Sequence, residues 1–267
     1  MSPEILHDIK PIWIAYLAIS INIALCITAA LGNILILVAL QEDSHRLRSP
    51  SKLLFRSLAS TDLAVGLISQ PSFVMHLILT VRKQLRIWQI TEGVVQISSA
   101  ILCGISIFTL TAISVDRLLA LILGLRYRQI VTLARVRGII VTSWLVFPSF
   151  AMLYFWNRHI FMITLCVNVL LCLAVSTFCY MKIYFTLRYR QARVSQWCTH
   201  GQTSNSTRAQ LVDYNKTVSN SLWIYFTLIA SYIPFAMVQL VRTAYGDSPS
   251  IIIAEGSTTS LVYLNSS

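Results

Sequence analysis

Long apolar stretches alternate with short basic ones along the whole chain. Pro11–Gln41, Gly93–Val115, Gly138–Asn157, His159–Met181 and Thr217–Val241 contain no Asp, Glu, Lys or Arg. Ser57–Val81 is broken only by Asp62, and Ser248–Ser267 only by Glu255. A helix crossing a hydrocarbon core of about 30 Å needs about 20 mostly apolar residues. In lipid the backbone must satisfy its own hydrogen bonds, so these stretches predict helices. Six full spans and part of a seventh are legible, at about 12–40, 52–80, 89–123, 136–156, 160–190, 214–242 and 250–267. Residues 1–11 read as a short extracellular tail, and 12–267 as one all-α transmembrane bundle whose seventh helix is incomplete. The first apolar run is about twice the core of a cleaved signal peptide and is expected to stay as an anchor.

Composition sharpens the picture. Of 267 residues, 56% are hydrophobic and 12% charged, against about 25% charged in soluble domains. That argues against a water-soluble enzyme. The net charge of +11 could suggest nucleic acid, but the bases alternate with the spans. Arg46, Arg48, Lys52 and Arg56 follow the first span; Arg126, Arg128, Arg135 and Arg137 follow the third; Lys182, Arg188, Arg190, Arg193, Arg208 and Lys216 follow the fifth. The other side holds only Lys10, Arg82, Lys83, Arg86, Arg158 and Arg242. The positive-inside rule then puts the N-terminus outside and the rich loops in the cytosol, beside anionic membrane lipid, with no nucleic-acid partner.

Cys26, Cys103, Cys166, Cys172 and Cys179 lie inside spans and Cys198 in a cytosolic loop, so none is placed for an extracellular disulfide. The sequons at Asn205 and Asn215 fall on the cytosolic side and are expected to stay unglycosylated. The polar stretch Arg188–Lys216 reads as the loop where a cytosolic partner would dock. No internal repeat is evident, which weakens a transporter or channel built from duplicated halves.

Polar groups inside a bilayer are expensive and need a partner or a function. Asp62 is the only acid in the middle of a span, and Asn33 lies at similar depth in the first. Asp116-Arg117 closes the third span, Trp144 stands in the fourth, Tyr180 ends the fifth, and Ser231-Tyr232-Ile233-Pro234 lies in the sixth.

Gly32-Asn33, Leu58 four residues before Asp62, Asp116-Arg117, Trp144, Tyr180 and Pro234 come in the order and at the depths that resemble the rhodopsin-like (class A) G protein-coupled receptors. The resemblance runs from about Gly32 to the end of the chain. It implies a seven-helix plasma-membrane receptor without catalytic chemistry, which binds an extracellular small-molecule or peptide agonist and opens its inner face to a heterotrimeric G protein. It further implies that Asp62 anchors a sodium ion, aided by Ser106, Asn33 and Asn265, while a protonated, hydrogen-bonded Asp62 is the plainer alternative. Arg117 would pair with Asp116 at rest and swing to the G protein when active. Pro234 would kink the sixth helix so that its inner half can pivot.

Departures from the family pattern are informative. Glu92 stands where the family usually has a cysteine, Cys172 replaces the usual proline of the fifth span, and the loop before that span is minimal. With Leu125–Thr132 these features look similar to melanocortin receptors and, less closely, to adenosine and cannabinoid receptors. Ser99 replaces the aspartate that holds biogenic amines, and Tyr263 the lysine that opsins use, so both ligand classes are disfavoured. Glu92, Gln96, Ser99 and Tyr232 are the candidate ligand-binding positions. Glu92 is open to two readings, a carboxylate that meets a basic peptide or divalent ion and a solvated helix-end charge. Tyr214 matches the acid that often restrains the span-three arginine, with Asp213 one residue away, so raised basal signalling is expected. The chain stops two residues before the family's Asn-Pro-x-x-Tyr motif would begin, which suggests a fragment. A truncated chain that only pairs with full receptors is therefore a rival reading.

Overall fold

A computed structural model describes residues 12–42, 49–82, 84–198, 226–243, 245 and 249–266. The expected outer tail, Arg46 and Arg48, the sequons at Asn205 and Asn215, and the pair Asp213 and Tyr214 lie outside the described residues. The described residues are almost wholly helical, and the protein is an all-α transmembrane bundle. Its elements are α1 (Ile12–Glu42), α2 (Ser49–Ala64), a π-helical turn (Val65–Ser69), α3 (Gln70–Val81) and α4 (Leu85–Leu123). They continue as α5 (Tyr127–Ile130), α6 (Leu133–Ala151), α7 (Leu153–Trp156), α8 (Arg158–Cys198), α9 (Phe226–Thr243) and α10 (Pro249–Leu264). Among the described residues six helical spans are long and apolar enough to cross a membrane, and α10, with 16 residues, supplies the seventh helix.

The first helix turns its large apolar side chains outward. On α1, Leu17, Ile21, Ile27, Leu31 and Leu35 face outward, while Asn22, Ala29 and Asn33 are buried against neighbours. Lipid is as apolar as leucine, so apolar side chains gain little by turning inward, whereas small and polar residues gain contacts and hydrogen bonds. α4 is the central post. It packs against α2, α3, α6 and α8 and buries Ile105, Ser106, Ile107 and Thr109 in mid-membrane.

The second span is built in three pieces. One turn after Asp62 the ladder widens to i→i−5 spacing, with Gln70 N–H donating to Val65 O. At Gly66 α1 packs closely against this turn. A Cβ there would lie 3.0 Å from the Ala29 Cβ, and the Gly66 carbonyl accepts a hydrogen bond from Cys26 Sγ at 2.9 Å. The fifth helix runs to Cys198 rather than stopping near 190, since Tyr189–Cys198 contains neither Gly nor Pro to end it. Between α4 and α6 the chain turns at Gly124, whose φ of +51° suits a residue without a Cβ.

Candidate functional site

Three polar assemblies are stacked through the bundle, at its core, outer end and inner end. The core assembly centres on Asp62, which is buried. Ser106 Oγ of α4 donates to Asp62 Oδ1 at 2.7 Å, and the Ser266 side chain also hydrogen-bonds the carboxylate. Asn33 Nδ2 of α1 donates to Ser266 O at 2.8 Å and to Ala29 O at 2.9 Å. Residues from the first, second and third spans thus meet the end of the seventh on one acid. Of the four residues expected here, Asp62, Ser106 and Asn33 come together. The fourth, Asn265, is replaced by its neighbour Ser266 as the group that reaches Asp62. Successive helical positions point about 100° apart, so one residue decides which side chain faces inward.

Above this cluster lies a cavity of about 760 Å³, counting its open part, between α4, α6, α8, α9 and α10. Tyr232, buried on α9, and Cys103 line it, and Gln96 and Ser99 line its α4 wall. Ser99 Oγ and the Tyr263 hydroxyl are 2.6 Å apart, and the Tyr263 ring meets Phe73 edge-on at 5.6 Å. Gly104 leaves room for Phe147, whose ring would lie 2.6 Å from a Cβ at that position.

The outer end carries charges that sequence reasoning did not connect. Glu92 is neither solvated nor free, with its side chain only 13% exposed. It is ion-paired with Arg158 at the start of α8 and lies 3.5 Å from Arg242 of α9. Arg242 also binds Glu255 of α10. Glu255 Oε1 accepts from Gln96 at 3.2 Å and from Gln239 at 3.0 Å. Two acids, two arginines and two amides tie four helices together where the family pattern would place a disulfide, and the described cysteines are free thiols. Desolvation explains the arrangement, because a carboxylate at the membrane boundary is held only where cations and amide donors compensate it. All the partners were present in the sequence, but separations of up to 159 residues hid them.

At the inner end, Asp116 is buried and its carboxylate is shared. Ser51 Oγ of α2 donates to Oδ2 at 2.8 Å, and the buried Tyr127 hydroxyl of α5 donates to Oδ1 at 2.5 Å. The rest-state pairing expected between Asp116 and Arg117 gives way to this arrangement. The Arg117 guanidinium lies over the Phe55 ring, 5.4 Å from its centre, since adjacent helical residues do not face each other. Tyr127 belongs to the Leu125–Thr132 stretch noted in the sequence, but nothing there announced its bond to Asp116. Tyr180 packs in a cluster with Leu118, Leu121, Ile183 and Leu187. Pro234 lies within α9, one turn outward of Ala230, whose carbonyl it leaves without its helical donor.

A family profile described as 7 transmembrane receptor (rhodopsin family) matches residues 32–159. Over this stretch the chain resembles the rhodopsin family of receptors. Its relatives include the adenosine receptor A2b of Bos taurus, 34% identical over 128 residues, which are 48% of this chain and 37% of the relative. The adenosine receptor A2b of Rattus norvegicus is 33% identical over 130 residues, 49% of this chain and 37% of the relative. The adenosine receptor A2a of Homo sapiens is 32% identical over 143 residues, 53% of this chain and 32% of the relative. Each match therefore spans about a third of the curated receptor's length. Members of this receptor family signal and are not enzymes. Of the subfamilies that the sequence resembles, the adenosine receptors are those found among these relatives.

Proposed function

We propose that this multi-pass receptor sits in the plasma membrane with its N-terminus outside, binds a small molecule or peptide from the outer half of the bundle, and activates a heterotrimeric G protein at its inner end. The observation that carries the reading is the Asp62 cluster, which joins four spans between the cavity and the Asp116 lock. A group buried among four helices is satisfied in only a few arrangements, so a rearrangement of the bundle must remake its bonds as a set. The distribution of Lys and Arg among the loops supports the orientation.

The mechanism follows from differential binding. An agonist in the cavity touches α4, α9 and α10 and shifts the bundle toward whichever packing it binds more tightly. Tyr232 lies on the cavity wall two residues before Pro234, so displacement of its ring is transmitted where α9 lacks a backbone bond. Outward motion of the inner half of α9 would uncover Tyr180 and the cytosolic end of α4. Release of Asp116 from Ser51 and Tyr127 would loosen the inner ends of α2 and α4, and Arg117, leaving the Phe55 ring, would meet the Gα subunit.

Sodium is the allosteric ligand that fits the core. Asp62 supplies a carboxylate, Ser106 and Ser266 supply hydroxyls, and Asn33 braces the Ser266 backbone. Such oxygen donors suit a hard cation, and a cation there favours the packing that keeps the cluster together. The test is nucleotide exchange on purified Gα subunits with the full chain in nanodiscs. The reading expects faster exchange on at least one Gα class and a drop of about tenfold or more in Arg117→Ala, equivalent to about 1.4 kcal/mol of barrier. Equal exchange with and without the receptor across all classes contradicts it.

A further inference from the structure

The cavity and its surroundings show which kind of molecule can enter and by what route. None of its lining residues among those described is Asp, Glu, Lys or Arg. The polar atoms on its wall belong to neutral groups such as Gln96, Ser99, Asn168 and Thr259. An ionised ligand would meet no opposite charge there, and burying a charge without one is costly.

The outer mouth is bridged by compensated charges. Gln96 belongs both to the cavity wall and to the network above it, where Glu255, Arg242, Glu92 and Arg158 link α10, α9, α4 and α8. The Arg242 side chain is only 9% exposed. Passage between these helices would separate buried carboxylates from their cations, the expensive way to open a protein.

The side wall is different. Between the outer halves of α6 and α8 the cavity is bounded by Phe147, Phe150 and Ala151 on one helix and Phe161, Thr164 and Asn168 on the other. Phe150 lines the cavity and is also 42% exposed on the outside of the bundle. At that point one ring separates the interior from the surroundings. Around it the outer surface presents Leu145, Val146, Ile160, Ile163 and Val167, all exposed and apolar, which is a face for hydrocarbon. Rotating a phenylalanine ring breaks no ion pair and exposes no backbone group.

We propose that the cavity takes an uncharged, largely apolar molecule of lipid type that enters from the outer leaflet between α6 and α8, past Phe150 and Thr164. The inference rests on the receptor reading, since it names the ligand class of the same pocket. The apolar body fills the space beside Phe147 and Phe161, and one neutral polar group hydrogen-bonds within reach of Asn168 or Ser99.

The test uses the full chain in phosphatidylcholine nanodiscs with a diazirine-bearing octadecanol as photoprobe, and maps the labelled residues by mass spectrometry. The proposal expects saturable labelling of cavity residues, competed by plain octadecanol and not by adenosine. Thr164→Trp should slow cavity labelling by about tenfold or more, and Phe150→Ala should speed it several-fold, an independent check if the tryptophan variant does not fold. Labelling confined to outward residues such as Leu145 overturns the site. Competition by adenosine, or rates unchanged in both variants, overturns the ligand class and the route respectively. Saturable cavity labelling in a chain that drives no Gα exchange upholds this inference and removes the receptor reading, so the two fail separately.

Discussion

At the scale of single residues, what stood out in the sequence was what is costly in a membrane. Asp62 and Asn33 stood out because polar groups at mid-bilayer depth demand polar company, and Ser106 was joined to them by the family resemblance. Ser266 was not legible, because choosing between it and Asn265 depends on the turn that follows α10, which no apolar pattern fixes. Gly104 is a second case, since its role appears only once Phe147 packs on it. Gly104→Val places branched carbons where the Phe147 ring lies, and overpacking of this kind costs about 1–3 kcal/mol. Thermal unfolding followed with a thiol-reactive dye, which reads the buried free cysteines, should show a lower midpoint. Ser99→Ala removes the partner 2.6 Å from the Tyr263 hydroxyl. Leaving that buried hydroxyl without this bond should cost about 1–3 kcal/mol in the same assay.

At the scale of helices and their joints, the outer network does by charge what a covalent bridge does by connectivity. The contribution is uneven. Arg158 is 42% exposed, so a double-mutant cycle of Glu92→Gln with Arg158→Gln should give a coupling of about 0.2–1 kcal/mol that falls with added salt. The Arg242 side chain is 9% exposed and sits between two acids, and Arg242→Ala should cost up to about 3–5 kcal/mol by leaving Glu255 with amide donors alone. Equal losses for Arg158 and Arg242 variants would show that the network is not layered in this way. At the other end, Tyr127→Phe removes one of two hydroxyls on Asp116. It should raise ligand-free nucleotide exchange several-fold while leaving the unfolding midpoint within a few degrees, a split that a merely structural tyrosine would not produce. Little of this was visible beforehand. The spans themselves follow from charge-free runs, but the close approach of Gly66 to Ala29 beside the π turn and the joints between helices depend on residues far apart in the chain.

At the scale of the whole molecule, membrane physics made the fold readable and chain-wide geometry made the site partly unreadable. Seven apolar stretches and the alternation of basic loops give an all-α bundle without reference to any side-chain contact, and the rhodopsin family is reached from motifs that lie where polar groups are scarce. The pocket needs five helices to exist, so its neutral lining and bridged mouth emerge only in three dimensions. The central claim is that the Asp62 cluster controls whether the inner face opens. It is tested most directly by ligand-free GDP release from a responsive Gα, measured with the nanodisc receptor in sodium and in potassium chloride at equal ionic strength, for the native chain and for Asp62→Asn. The account predicts slower release in sodium for the native chain and no difference between the salts for Asp62→Asn. A sodium effect that persists in Asp62→Asn, or release indifferent to sodium in the native chain, contradicts it.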